Sequence, residues 1–207
     1  MKPLAAIQPQ LPLPSDRQSG LYTISGPHAA GTPLLQLAAH LALNRTVRIL
    51  DCGNRGDMYR IAKTLRGLTP DPAAVMSRVL LSRAFTCYQA EALLRNSRDL
   101  ARTPILVLDL LATFFDESVG TSEIGRLFRD TQDHLKTIAA QNFVIVSVSP
   151  PGEATAERAA LWNGLTRLST GFIQLDERSE ARDGERVREP PADQLRSEEH
   201  TSELQSR

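Results

Sequence analysis

Residues 26–33 read GPHAAGTP, preceded by the apolar run Leu21 to Ser25 (LYTIS) and followed by the helical pattern LLQLAAHLAL. A strand that enters a glycine-bounded loop and leaves it as a helix is the setting a phosphate-binding loop requires, and Gly26 and Gly31 fit the spacing of G-x-x-x-x-G-K-S/T. The chemistry of that pattern is absent. Thr32 stands where the pattern has lysine, and Pro33 where it has a magnesium-binding hydroxyl. The two glycines can supply the backbone turn. Thr32 offers one neutral hydrogen bond, and Pro33 removes both the hydroxyl and an N–H. A charge-assisted hydrogen bond is worth about 1.5 to 3 kcal/mol, so without these groups nucleotide affinity at Gly26, Pro27, His28, Ala29, Ala30, Gly31, Thr32 and Pro33 should fall by about tenfold or more. Two readings stand side by side, a plain strand-to-helix turn and a weak nucleotide loop. His28 is either an ordinary exposed histidine or a group that approaches a phosphate.

Outward from this loop the chain alternates apolar runs with helical patterns, the sequence form of βαβ units and an α/β fold. Its sheet should be mainly parallel, with helices on both faces. Strands are predicted at Leu21 to Ser25, Val47 to Asp51, Val79 to Phe85, Ile105 to Leu110 and Phe143 to Ser149, with Gly171 to Asp176 as an edge. Helices are predicted at Pro33 to Leu43, Arg55 to Leu65, Tyr88 to Arg102, Ser122 to Ala140 and Glu153 to Leu165. Thr121 or Ser122 is expected to cap the fourth, Glu91 and Arg95 to pair on the surface of the third, and Trp162 to sit in the core.

Composition narrows the function classes. The chain has 207 residues, 41% of them hydrophobic, which suits one ordinary core. Basic and acidic residues balance at 24 each, so any surface for a polyanion must be local. Cys52 and Cys87 have no metal-ligand spacing and read as reduced core or loop residues. No apolar run approaches the roughly 18 residues of a membrane span, and no signal-peptide pattern opens the chain, so a cytoplasmic protein without a membrane partner is expected. Residues 1–20 form a Pro-rich lead-in expected to be disordered, residues 21–177 the core domain, and residues 178–195 a charged flexible segment. Residues 196–207 contain RSEEHTSELQS, which resembles a translated sequencing adapter. They are expected to be non-native, leaving the natural C-terminus beyond about residue 195 open.

A second motif is PILVLDL, Pro104 to Leu110, where an apolar strand ends in Asp109 as a magnesium-holding carboxylate does. With it the chain resembles the RecA/RadA-type recombinases, members of the P-loop NTPase superfamily. VRILDCGN resembles their second core strand, VLLSRAFTCYQAEALL their A-R-A-F segment and helix, ILVLDLLATFF their Walker B strand and its continuation. FVIVSVSPP falls at their sensor strand and LTRLSTGFIQLDE at a further core strand. The likeness runs in order from Leu21 to Glu177.

The resemblance implies a RecA-like core with ATP and magnesium as the family's cofactors. It also implies that this chain has lost their chemistry. Thr32 and Pro33 replace the lysine and hydroxyl of the Walker A loop, Gly53 takes the place of the water-activating glutamate, and Ser147 to Pro150 lacks the sensor Asn-Gln. Asp109 alone remains, as the candidate metal ligand. The expectation is a pseudo-ATPase with no catalytic residues, an accessory or regulatory factor in DNA recombination or repair. Its partners would be a RecA/RadA-type recombinase or another repair protein, single-stranded DNA, or both. Of the family's DNA-facing segments, Asp116 to Glu123 is acidic and Pro150 to Arg158 has one arginine, which leaves Arg126 and Arg129 as candidate DNA contacts. Two alternatives remain. One is a divergent, DNA-dependent ATPase in which Arg55 or Arg60 supplies the missing charge. The other is a RecA-fold interaction regulator without a nucleic-acid role, similar to certain cell-division inhibitors.

Overall fold

Short apolar runs become strands wherever both faces can be buried. Of Ile105–Leu108 and Phe143–Val148, every residue is buried, as the middle of a sheet covered on two sides demands. The computed structural model describes residues 18–100, 102–115, 119–150 and 155–175. All of these fall within the compact unit that ends at Glu177. In chain order the elements are β1 (Gly20–Ser25), α1 (Gly31–Ala42), β2 (Val47–Asp51), α2 (Met58–Arg66), α3 (Pro72–Met76), β3 (Val79–Arg83) and α4 (Cys87–Arg95). Then follow β4 (Ile105–Leu108), α5 (Thr121–Ala139), β5 (Phe143–Val148), α6 (Ala156–Leu168) and β6 (Gly171–Gln174). The six strands form one sheet in the order β3-β2-β4-β5-β1-β6, and every pairing is parallel.

Helices cover both faces. Leu34, Leu35 and Ala38 of α1, Ile61 and Leu65 of α2 and Val75 of α3 pack with Ile24, Ile49, Leu106 and Ile145 on one side. Ala90 and Leu94 of α4, Leu127, Phe128 and Leu135 of α5 and Leu161 and Leu165 of α6 pack with Leu50, Ile105, Val107, Val144 and Val146 on the other. The alternation of residues along each strand decides which layer a side chain joins. Trp162 packs against the second layer and meets Phe172 edge-on, with centroids 5.5 Å apart. Among the described residues no helix is long and apolar enough to cross a membrane.

The expected α/β architecture holds, with corrections at the element ends. β3 stops at Arg83, not Phe85, and β4 at Leu108, not Leu110, because Asp109 turns to a φ of 50° and Leu110–Phe115 winds into 3-10 turns within the same core. α2 starts at Met58, because the Asp57 carboxylate accepts from the backbone N–H of Tyr59 and Arg60 at 2.9 and 3.2 Å. α4 runs from Cys87, capped by Thr86, only to Arg95, so Cys87 opens a helix. α5 starts with Gly120 as its N-cap, and neither Thr121 nor Ser122 caps it through its side chain. Glu91 does meet Arg95 at 3.4 Å, but it lies mostly buried and holds His134 of α5 more closely, at 2.8 Å. The five-residue α3, capped by Asp71, has no counterpart among the expected helices. Residues 1–17 of the lead-in, together with segments 178–195 and 196–207, lie outside the described residues.

Candidate functional site

In an open parallel sheet, the loops leaving the carboxyl ends of the strands are where a ligand crevice forms. The loop after β1 takes an unusual shape here. His28, Ala29 and Ala30 follow one another in the left-handed region, with φ of 47°, 54° and 52°. Each such L-residue costs about 1 kcal/mol, so the turn is strained and is held by its surroundings. Ala29 and Ala30 are fully buried, and the backbone N–H of Ala29 donates to the Gly26 carbonyl at 3.1 Å. The Gly31 N–H donates to His28 O. Two of the amides that would face a phosphate are thus bonded within the loop. A Cβ added to Gly26 would lie 3.0 Å from Cβ of Leu175, so the chain beyond β6 closes on the loop as well. Gly31 and Pro33 are buried in the first turn of α1, while His28 is exposed. Replacing His28 with glycine should therefore raise unfolding stability by roughly 0.5–1 kcal/mol, the strain relieved less the added chain entropy, as read by urea denaturation.

Two carboxylates sit at neighbouring strand ends. Asp51 closes β2 fully buried; it accepts from the N–H of Arg55 at 2.8 Å and of Gly56 at 2.9 Å, and pairs with Nε of Arg83 at 2.9 Å. Asp109 follows β4. Its N–H donates to Oγ of Ser147 at 3.0 Å. Its carboxylate receives the N–H of Ser149 at 3.2 Å, the Ser149 hydroxyl at 3.3 Å and Nε of Arg55 at 3.2 Å. Arg55 therefore serves both carboxylates, the first through its backbone and the second through its guanidinium. Its Cβ lies 3.6 Å from where a Gly31 Cβ would be, so the same arginine lies beside the phosphate-type loop. Arg60, the other arginine considered for that charge, instead leans on Asp57 at 3.9 Å.

The glycines of this cluster are steric necessities. A Cβ on Gly53 would stand 2.4 Å from the Asp109 Cβ, and one on Gly56 would stand 2.8 Å from Oδ2 of Asp51. Cys52 follows Asp51 and is buried in the core, its thiol pushed up to about 12 by burial first and then by the negative charges of Asp51 and Asp109. A thiolate is the reactive form. Native Cys52 should consequently stay unmodified by a disulfide reagent at pH 8 and react only when the chain is denatured.

Arg126 and Arg129 lie far along the chain from this cluster, on α5, and both are exposed. Glu123 at 2.7 Å and Asp130 at 3.0 Å hold Arg126, raising its guanidinium above the usual range, while the Glu123 carboxyl is lowered by the same partner. Arg158, the arginine of the second DNA-facing segment, stacks over the Phe115 ring at 5.0 Å. Gly53 and Ser147 thus lie against Asp109, and Ser149 of the Ser147 to Pro150 stretch holds its carboxylate; Asp51 and Arg83, which the sequence did not mark as site residues, pair beside them.

No protein-family model matches the chain, and no curated protein does. Among solved structures, the crystal structure of the RadB recombinase matches with a TM-score of 0.55 at 16% sequence identity, over 76% of this chain and 74% of that chain. The fold is RecA-like. At that identity the likeness speaks to the fold, and the RecA-like site has to be weighed on its own residues. A magnesium-bound triphosphate needs a cation on its outer oxygens, a hydroxyl and a free carboxylate for the metal, and open amides in the loop. Here positions 32 and 33 bring neither ammonium nor hydroxyl at the places that need them, the Asp109 carboxylate is engaged by Arg55 and Ser149, and two loop amides are spent internally. Among the described residues no group of three or more His, Cys, Asp or Glu side chains could hold a metal. The residues present do not fit the nucleotide–metal pair.

Proposed function

We propose that this chain is a RecA-like protein that does not hydrolyse nucleotide and that serves DNA recombination or repair as an accessory or regulatory factor, through a partner recombinase, DNA or both. The observation that carries the reading is the Arg55–Asp109 pair at 3.2 Å, in which an internal guanidinium takes the place a metal cation would need. A guanidinium tethered to the chain does not arrive and leave with a nucleotide as a magnesium ion does. The cytoplasmic location belongs to the same reading and accords with two buried cysteines that are not joined in a disulfide. Purified protein should show no ATP turnover above a control lacking Asp109, with or without single-stranded DNA. A rate near that of a normal recombinase would overturn the reading.

The divergent-ATPase alternative has one observation in its favour, the closeness of Arg55 to Gly31. The double replacement Thr32→Lys and Pro33→Thr separates the two. A weakened but working site gains at least about tenfold in nucleotide affinity when the ammonium and hydroxyl return. On the proposed reading affinity stays flat in equilibrium titration, because Asp109 is already neutralised and the loop is closed.

A further inference from the structure

The five large hydrophobic side chains most exposed among the described residues are Tyr59, Leu80, Phe85, Tyr88 and Phe172. Three of them, Tyr59, Leu80 and Phe85, lie on α2 or on and just after the edge strand β3, while Tyr88 lies on α4 and meets Glu123 of α5. Tyr59 is 67% exposed and Phe85 69%, so most of each ring is in water. They branch from one junction. Nη2 of Arg83 donates to the Gly56 carbonyl at 3.1 Å, tying the end of β3 to the loop that enters α2. Phe85 follows Arg83 by two residues, and Tyr59 follows Gly56 by three.

Beyond its cap Asp57, the charge on α2 is of one sign. α2 reads MYRIAKTLR, and from Met58 to Pro70 the chain has no acidic residue, although the whole chain balances 24 against 24. Ile61 and Leu65 face the core. Tyr59, Lys63 and Arg66, at i, i+4 and i+7, share the outward face, and the Arg66 guanidinium lies 6.0 Å from the Tyr59 ring centroid. Neither Lys63 nor Arg66 has an acidic partner among the described residues. The nearest acid on the helix is its cap Asp57, which receives the N–H of Tyr59 and Arg60 and the Arg60 guanidinium. Asp51 and Asp109 are buried and turned to their own arginines. The contrast with α5 is plain, since Arg126 there is held between two carboxylates.

We infer that this edge, made of Tyr59, Arg60, Lys63 and Arg66 on α2 with Phe85 beside it, binds single-stranded nucleic acid. Its cations supply the contacts to phosphate, and exposed rings supply platforms on which unpaired bases stack. From Tyr59 to Arg66 the helix rises about 10 Å, the span of about three stacked nucleotides. A polyanion with flat apolar faces complements both features at once. A duplex hides those faces, and an acidic polypeptide satisfies the charge without the rings. The inference deepens the proposed function and rests on it only for the choice of DNA as the nucleic acid.

The test is fluorescence anisotropy of a labelled thirty-nucleotide oligo(dT) with the full chain, over a salt series. The unaltered protein should bind, more tightly than it binds a duplex of equal length. Lys63→Ala with Arg66→Ala should weaken binding by about tenfold or more and flatten the log–log salt slope by about 1.4, two phosphate contacts on a single strand. Tyr59→Ala or Phe85→Ala should weaken binding on the order of tenfold with the slope unchanged. Arg126→Ala with Arg129→Ala should leave it as it was. All these positions are exposed, and far-UV circular dichroism checks that each variant folds. The inference falls if oligo(dT) does not bind at low salt, if only the α5 variant loses binding, or if duplex binds equally and the ring substitutions change nothing. It also falls if polyglutamate displaces oligo(dT) while those substitutions leave affinity intact, which would give the face to an acidic protein. ATP turnover would defeat the non-hydrolysing function and leave this face standing; absence of oligonucleotide binding would do the reverse.

Discussion

Replacing Gly53 with alanine should lower the melting temperature by about 10 °C, corresponding to about 3 kcal/mol for a core of this size. The added carbon would stand 2.4 Å from Cβ and 2.7 Å from Oδ2 of Asp109. Asp109 cannot step aside cheaply, because Ser147 holds its N–H and Ser149 and Arg55 hold its carboxylate. The backbone between β2 and α2 would have to move, and with it the two amides that serve Asp51. Glutamate should do at least as much harm, so the residue that the resemblance places at position 53 in active recombinases cannot be restored by one substitution. Thermal unfolding followed by circular dichroism is the measurement, and a shift of under about 2 °C would show that the loop yields more easily than its contacts indicate.

The second large effect concerns Arg55. Changing it to alanine leaves a nearly buried carboxylate with Ser149 as its remaining side-chain donor. Removing one partner of a fully buried pair costs about 3 to 5 kcal/mol. The Arg55 side chain is 37% exposed, and water can move in to solvate Asp109, so a loss of about 2 kcal/mol is expected instead. Adding Asp109→Asn to the Arg55→Ala variant should recover most of that loss, since an amide keeps the hydrogen bonds with Ser149 without a stranded charge. Urea denaturation of the two single variants and the double completes the cycle. If the double variant is as unstable as Arg55→Ala alone, charge compensation is not what Arg55 contributes.

Much of the fold was legible because central parallel strands are apolar throughout. Val47–Asp51 emerges residue for residue as expected, and Gly171–Gln174 does lie at an edge of the sheet. Strand ends were less legible, since Leu110 and Leu111 continue the hydrophobic run of β4 while belonging to the 3-10 turn that packs in the same core. Helix α3 is too short for a periodic signal, although Asp71 and Pro72 are a capping residue and a first-turn proline. For the site, glycine spacing located the loop. Its left-handed path was hidden, because histidine and alanine seldom adopt that region without tertiary support. The two ion pairs were hidden for a different reason. Arg55 and Asp109 are 54 residues apart and Arg83 and Asp51 are 32 apart, and only the order of strands in the sheet makes them neighbours.

The burial of both cysteines has a practical consequence. The chain contains only Cys52 and Cys87, and their exposures are 4% and 1%. The native surface therefore presents no thiol to a maleimide, and a single cysteine introduced at an outward position such as Lys63 becomes a unique attachment point. A dye placed there would report on its own edge of the sheet without any native residue first being deleted, and a spin label would do the same.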